Sequence, residues 1–373
     1  MVDGQFEDET ARMRFRSVHA LLVERERALS PFAARSATSR GRERPEPPPL
    51  LRTEYQRDRD RILHSKAFRR LKHKTQVFIA PAGDHYVTRM THTLEVAQIA
   101  RTIARALNLN EDLAEAISLG HDIGHAPFGH AGEDALAGLL GVNWRHNEQG
   151  ARVVEKLENN GAGLNLTYEV REGIVKSSKV RQDIFAEAWG TASTLEGQVL
   201  KVADAVAYVN HDILDAIRAG LLTEEGLPAD VHRVLGSSHA ERINTLVCDI
   251  VNASWAATGE LPGVTEPAIA MSDEVRRVFN GLREFMFENV YLLEERQADV
   301  IRAREILRFL FEHYVSHPDQ LPAGFSLPDD PLRLRVADYI SGMTDRFAIR
   351  LAASLGCTAA EGWLDRALDV LPA

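Results

Sequence analysis

From Val199 to Val209 the chain reads Val-Leu-Lys-Val-Ala-Asp-Ala-Val-Ala-Tyr-Val, apolar around the whole helical wheel except at Lys201 and Asp204. A helix that is apolar on every side is buried on every side. This segment, part of a helix expected from Leu195 to Ala219, must therefore run through the middle of a domain. It carries Asp204 inside with it. An isolated buried carboxylate costs several kcal/mol, so Asp204 needs a metal ion, an arginine or a helix end to cap.

Two further segments share the helical period. From Met90 to Leu107, Val96, Ile99, Ala100, Ile103 and Leu107 form an apolar stripe, and Gln98, Arg101 and Arg105 form the wet face. His92 stands one turn before Val96, on the edge of that stripe, and points inward. From Asn110, an N-cap residue type, to about His121, the residues Leu113, Ala116, Ile117 and Gly120 face the core. His121 and Asp122 arrive at the end of that helix. Ala11 to Ala28 is a further helix. Ser36 to Leu50 contains Gly41, Pro45, Pro47, Pro48 and Pro49, which exclude regular helix and predict an extended, mobile connector. Strand alternation is missing, apart from a tiny hairpin that Phe78 to Ala80 or Tyr86 to Val87 could form beside the turn residues Pro81 and Gly83.

The expected class is all-α and multi-helical. It comprises an N-terminal helix and connector over 1–50, a core over 51–222 and a helical C-terminal region over 223–373 packed on that core. Composition agrees. Aromatics make up only 7% of the chain, while the helix formers Ala, Leu, Arg and Glu are abundant. The 373 residues supply ample core without disulfide staples. The two cysteines, Cys248 and Cys357, are too far apart for a thiolate metal motif and fit a reducing compartment. Met1 to Thr10 is acidic with no apolar run, so no secretory signal is expected, and no segment is long enough to cross a bilayer. The expected location is cytoplasmic, with no membrane partner.

The net charge of −10 argues against a DNA-coating role. Against that background Arg57, Arg59, Arg61, Lys66, Arg69, Arg70, Lys72 and Lys74 crowd one window with only Asp58 and Asp60 for company. Two readings stand for this window: a site for a small anion or phosphate chain, or a solvated helix face laced by ion pairs.

The densest chemical signal is His121-Asp-Ile-Gly-His-Ala-Pro-Phe-Gly-His130, followed by Glu133. Inside a helix, His121 and Asp122 would splay about 100° apart, but at a helix end the chain can turn both onto one ion. With His92 and Asp204 they make a mixed nitrogen and oxygen set drawn from three helices. Such a set suits an octahedral ion with positions left for water and a phosphate oxygen. Taken singly, an inward histidine is more often a hydrogen-bonded core residue; the joint arrangement points to metal.

The spaced H…HD…D pattern resembles that of the HD phosphohydrolases. Arg57-Asp-Arg-Asp-Arg-Ile-Leu-His-Ser-Lys-Ala-Phe-Arg-Arg-Leu71, Thr75-Gln76, Thr88-Arg-Met-Thr-His92-Thr-Leu-Glu-Val96, Arg145-His-Asn-Glu-Gln149 and Asp204-Ala-Val-Ala-Tyr-Val-Asn-His-Asp212 are similar to the dGTPase-type triphosphohydrolases among them. The resemblance is strong from about Arg35 to Leu222 and weak beyond. It implies His92, His121, Asp122 and Asp204 as ligands of a divalent metal, foremost Mn²⁺ or Mg²⁺, with Fe, Ni, Co or Zn as alternatives. It implies water attack on the α-phosphorus of a dNTP, releasing deoxynucleoside and triphosphate. His130 is then the general acid to the 5′-oxygen, Glu133 its orienting carboxylate, and His125 and His146 contacts to the α-phosphate.

Arg89, three residues before His92, shares its face and can reach phosphate; Gln76 resembles the position that contacts the sugar 3′-hydroxyl; Tyr208, one turn after Asp204, stacks under the deoxyribose unless it is core packing. Asp212 serves the sugar or the metal's surroundings, and Arg69, Arg70 and Lys74 the β- and γ-phosphates. Family relatives imply a homo-oligomer, a tetramer or hexamer, with dNTP or single-stranded DNA as effector. The rivals are another HD hydrolase, a 5′-nucleotidase or phosphodiesterase, and a nucleotide- or single-strand-binding regulator that has kept the fold. The helical stretch after Glu224 is expected to serve packing and subunit contact.

Overall fold

The structure is a computed structural model that describes residues 9–76, 86–178, 183–185, 190–292, 298–322, 327 and 329–364. Its regular elements are helices. They are α1 (Glu9–Glu26), α2 (Glu54–Leu63), α3 (Lys66–Arg70), α4 (Arg89–Ala106), α5 (Glu111–Gly120), α6 (Gly129–Leu140), α7 (His146–Arg152), α8 (Tyr168–Val175) and α9 (Leu195–Arg218). The C-terminal half adds α10 (Ala229–Val234), α11 (His239–Ala253), α12 (Asp273–Met286), α13 (Ala298–Ser316), α14 (Leu332–Ser341), α15 (Asp345–Ser354) and α16 (Thr358–Glu361). Among the described residues β-pairing is confined to the isolated antiparallel bridges Arg42–Thr167 and Thr75–Thr88. The expected hairpin strand Phe78–Ala80 lies outside the described residues; Thr75 and Thr88 pair on either side of it. No described helix is long and apolar enough to cross a membrane.

Hydroxyl and amide side chains start the helices that matter, each taking up a backbone N–H that has no partner in the first turn. Thr53 and Gln56 form a reciprocal capping box at α2, and Thr88 with Thr91 does the same at α4. Asn110 accepts from Leu113 N at α5, and Thr194 from Gly197 N at α9. The expected stripe of α4 is buried throughout, and α9 buries Val199, Leu200, Val202, Val206 and Val209 together with Asp204.

The buried apolar side chains form two clusters. One buried cluster runs from Ala33 to Val290, joining α2, α4, α5, α8, α9 and the inner faces of α11 and α12. A second joins Ala126, Phe128, Ala131, Leu136 and Trp144 to Val300 through Trp363. Helix α6 thus belongs by packing to the C-terminal helices, although it follows His121 and Asp122 directly. The two cores meet at the segment His121–Phe128, every residue of which is buried.

The proline-rich connector is extended, as expected, but it is pinned rather than loose. The Arg42 guanidinium, buried, bonds Asp58 and Glu54 of α2 and the Asn165 carbonyl. In the basic window Arg59 pairs with Asp60, Asp112 and Glu115, and Arg61 with Glu46. Arg57 donates to the Pro47 carbonyl and lies 3.5 Å from Glu46. For these three arginines the ion-pair reading holds.

Candidate active site

Asp122 stands at the junction of two groups of side chains. On one side are His92 from α4, His121 from the end of α5 and Asp204 from α9, all buried. His92 Nε2 lies 3.3 Å from Asp204 Oδ1 and 3.8 Å from Asp122 Oδ2. His121 Nε2 lies 3.3 Å from Asp122 Oδ1 and 3.9 Å from Asp204 Oδ1. Neighbouring ligands on an ion with bonds of about 2.1 Å stand roughly 3–4 Å apart, so this spacing fits one divalent cation. The hydrogen bonding fits as well. His121 Nδ1 is 2.6 Å from the Ser118 carbonyl, which fixes the tautomer, while Nε2 is buried with no hydrogen-bond partner among the described residues. A histidine held this way presents a lone pair to a metal.

On the other side of Asp122 are His125 and His146. His125 Nε2 is 3.2 Å from Asp122 Oδ1, and the two imidazoles stack with centroids 3.8 Å apart and planes 11° from parallel. Imidazole lone pairs lie in the ring plane. Two near-parallel rings at that separation cannot both aim at one ion about 2.1 Å from each nitrogen. A phosphate oxygen, which takes hydrogen bonds over a wider range of angles and from Arg89 as well, fits beside the ring edges better than an ion does. Arg89 joins them, donating to Asp122 Oδ2 at 2.9 Å. This second group is therefore better suited to an anion than to a second cation.

The protonation states agree. Burial would push the Asp122 carboxyl up, but His121, His125 and Arg89 around it hold it well below the usual carboxylate range. Burial, with Arg89 and His146 nearby, pushes His125 well below the ordinary imidazole value. Burial would also raise Glu133, but His146, His130 and His125 outweigh it and leave the carboxylate ionised. Its Oε2 lies 3.2 Å from His146 Nδ1 and 3.5 Å from His130 Nδ1. His130 differs from the other site histidines: its side chain is 80% exposed, with its ring 5.9 Å from that of His125.

Local sequence explains the crowding. A β-carbon on Gly124 would lie 2.1 Å from the His146 carbonyl and 2.2 Å from Gly150 N, so glycine alone lets α7 pack on the loop and bring His146 over His125. The remaining expected residues fall in several places. Gln76 is half-buried, and its Oε1 has no hydrogen-bond partner among the described residues. Tyr208 lies along α9 with its ring 6.1 Å from Tyr291. Asp212, fully buried, accepts a hydrogen bond from the Tyr291 hydroxyl. Lys74 is turned away from solvent: its ammonium donates to the carbonyls of His125 and Ser341. Arg70 lines a pocket with Lys66, Lys74, Ile123, Glu158, Asp338 and Gly342, and Arg69 is exposed.

Three contributors escaped the sequence reading. Tyr291, just beyond α12, reaches Asp212 from the region expected only to pack. His211 sits edge-on to His92 at 4.9 Å, with Nδ1 3.0 Å from Glu95 and Nε2 3.1 Å from Asp212. Burial would lower it, yet Asp212 and Glu95 carry it up to about 9. Asp345, the third, touches the loop from α15. Asp212 and His211 were at least adjacent in the motif around Asp204; Tyr291 and Asp345 carry no local signal.

The comparisons with known proteins agree with this geometry. The HD domain family matches residues 89–209, and the phosphohydrolase-associated domain matches residues 269–354. A deoxyguanosinetriphosphate triphosphohydrolase-like protein of Caldanaerobacter subterraneus subsp. tengcongensis is 52% identical over 323 residues, covering 86% of this chain and 90% of its own. One of Desulfatibacillum aliphaticivorans is 49% identical over 330 residues, covering 86% of this chain and 92% of its own. One of Clostridium perfringens is 48% identical over 321 residues, covering 86% and 91%. Helices that bring two histidines and two aspartates together, matched in sequence over most of the chain, place this protein among the HD-domain phosphohydrolases, in the deoxyguanosinetriphosphate triphosphohydrolase-like family.

Proposed function

We propose that the chain hydrolyses a deoxynucleoside triphosphate at the α-phosphorus, with His92, His121, Asp122 and Asp204 holding a divalent cation. The observation that carries this reading is the position of Asp122, whose Oδ1 lies 3.3 Å from His121 Nε2 of the metal-type set and 3.2 Å from His125 Nε2 of the stacked imidazole pair. A cation bound there supplies positive charge to the phosphate and an acidified water. Arg89, His125 and His146 steady the α-phosphate oxygens from the opposite side, as charge builds on them during attack. Water adds to phosphorus as the bond to the 5′-oxygen breaks. His130, in contact with solvent, gives that oxygen its proton. Glu133 keeps His130 and His146 oriented. The products are deoxynucleoside and triphosphate.

Gln76 and the Tyr208–Asp212–Tyr291 group supply the polar and flat surfaces that a deoxyribose needs, Gln76 through its buried side-chain oxygen. The cation is Mn²⁺ foremost in this reading, since a mixed set of two carboxylates and two imidazoles suits a first-row divalent ion better than the all-oxygen shell that Mg²⁺ prefers.

A panel of dNTPs with Mn²⁺ and Mg²⁺, with the phosphate product identified, tests the proposal. Triphosphate release supports it. Orthophosphate from deoxynucleoside monophosphates, with dNTPs untouched, would make the chain a nucleotidase instead. His121→Ala and Asp204→Ala should lose bound metal and turnover together; near-normal activity in either would overturn the ligand set.

A further inference from the structure

Asp345 lies more than a hundred residues beyond the HD segment, in the first turn of α15, yet its carboxylate is buried against the active-site loop. Oδ1 accepts the backbone N–H of Phe128 at 3.0 Å. Oδ2 accepts the backbone N–H of Thr75 at 2.9 Å and the Thr75 hydroxyl. One side chain therefore joins the residue before Gln76 to the residue that launches α6, the helix carrying His130 and Glu133.

The Phe128 end of this link is strained. Phe128 has φ 63° and ψ 24°, and Gly129 follows at φ 59°. The left-handed region suits glycine but is costly for a bulky residue, and persists only where surroundings enforce it. Here the enforcing contacts come from the C-terminal helices. Asp345 holds the Phe128 N–H, and the Phe128 ring packs on Trp363 at 5.9 Å. Lys74 ties the His125 carbonyl to that of Ser341, at the end of α14. The turn also abuts the substrate side: a β-carbon on Gly129 would lie 3.2 Å from Arg89 Nη2 and 3.4 Å from the Gln76 carbonyl.

We propose that Asp345 is a positioning residue for proton transfer: it holds the left-handed Phe128–Gly129 turn, and through it the start of α6, so that His130 stands over the leaving oxygen. This rests on the reading of His130 as general acid. Without both acceptor oxygens the turn relaxes toward ordinary backbone angles, and His130 moves with the helix end.

Asp345→Asn keeps the volume and one acceptor but cannot serve both backbone donors. Turnover of a dNTP and of bis(4-nitrophenyl) phosphate, bound metal and thermal midpoint would be measured for parent and variant. The nitrophenolate leaves without a proton, so a displaced general acid affects only the dNTP. The dNTP kcat should fall on the order of 10- to 100-fold, with metal content and the nitrophenyl ester rate close to the parent's. Asp345→Glu, which keeps the charge but moves the acceptors by one methylene, should show the same selective loss. An unchanged dNTP kcat, an equal loss on both substrates, or a loss that follows metal release would overturn the inference. A parent that turns over no dNTP would instead sink the functional reading, and this one with it.

Discussion

Glu133 holds His146 at two points: its Oε1 accepts the His146 backbone N–H at 3.2 Å, and its Oε2 lies 3.2 Å from His146 Nδ1. The same carboxylate stands 3.5 Å from His130 Nδ1. A residue expected to serve one histidine therefore serves two, and sets which edge of His146 faces the phosphate. With Nδ1 turned to the carboxylate, Nε2 is the atom left for substrate.

Replacing that carboxylate by an amide should loosen both rings without disturbing the metal ligands. Glu133→Gln is expected to lower kcat about 10-fold or more, while mass spectrometry still finds the parent's metal content. A variant as fast as the parent would remove Glu133 from the mechanism.

His130→Ala should retain metal and lose at least ~100-fold in dNTP turnover, the usual size of a general-acid contribution. Since a nitrophenolate needs no proton to leave, the variant should keep most of its rate on bis(4-nitrophenyl) phosphate. Equal losses on both substrates would mean that His130 does something other than protonate.

Arg42 offers a test of the connector. Among the described residues it is the cationic partner of Asp58, whose carboxyl is fully buried and pushed up by that burial despite Arg42. Arg42→Ala leaves the carboxylate unpaired and should cost about 3–5 kcal/mol of stability, read as a lowered denaturant midpoint. A change within experimental error would show that the connector is not pinned there.

Glu196 gives a pH signature. Burial raises it to about 7, while the N–H groups of Asn110 and Ala34 at its Oε1 oppose that rise. The folded state thus binds a proton that the unfolded chain releases near its ordinary value of 4.5. Stability from this group is present below that value and is lost as pH rises toward 7. Glu196→Gln should therefore melt higher than the parent at pH ~8, by a few degrees, with little difference at pH ~4.5. The reverse ordering in a melting series would contradict the assignment.

Much of the site was legible because helical periodicity is local. The stripe Val96, Ile99, Ala100 and Ile103 turned His92 inward, and the apolar run around Asp204 could only be buried. The turn residues of His121–His130 promised close backbone approach, and Gly124 against α7 is that approach. Charge crowding was a poorer guide. Arg57, Arg59 and Arg61 answer acids of the connector and α5, and Lys74 answers two carbonyl oxygens, because a buried donor takes the nearest acceptor the fold supplies.

Local spacing suffices for the helices, for the burial of Asp204 and for the chain order of His92, His121, Asp122 and Asp204, since each is a pattern one or two turns long. Packing at a distance settles that α6 joins the C-terminal helices, that Tyr291 reaches Asp212 and that Asp345 holds Phe128. Those contacts join residues tens to hundreds of positions apart. They depend on how two cores close against each other, and no local period encodes that.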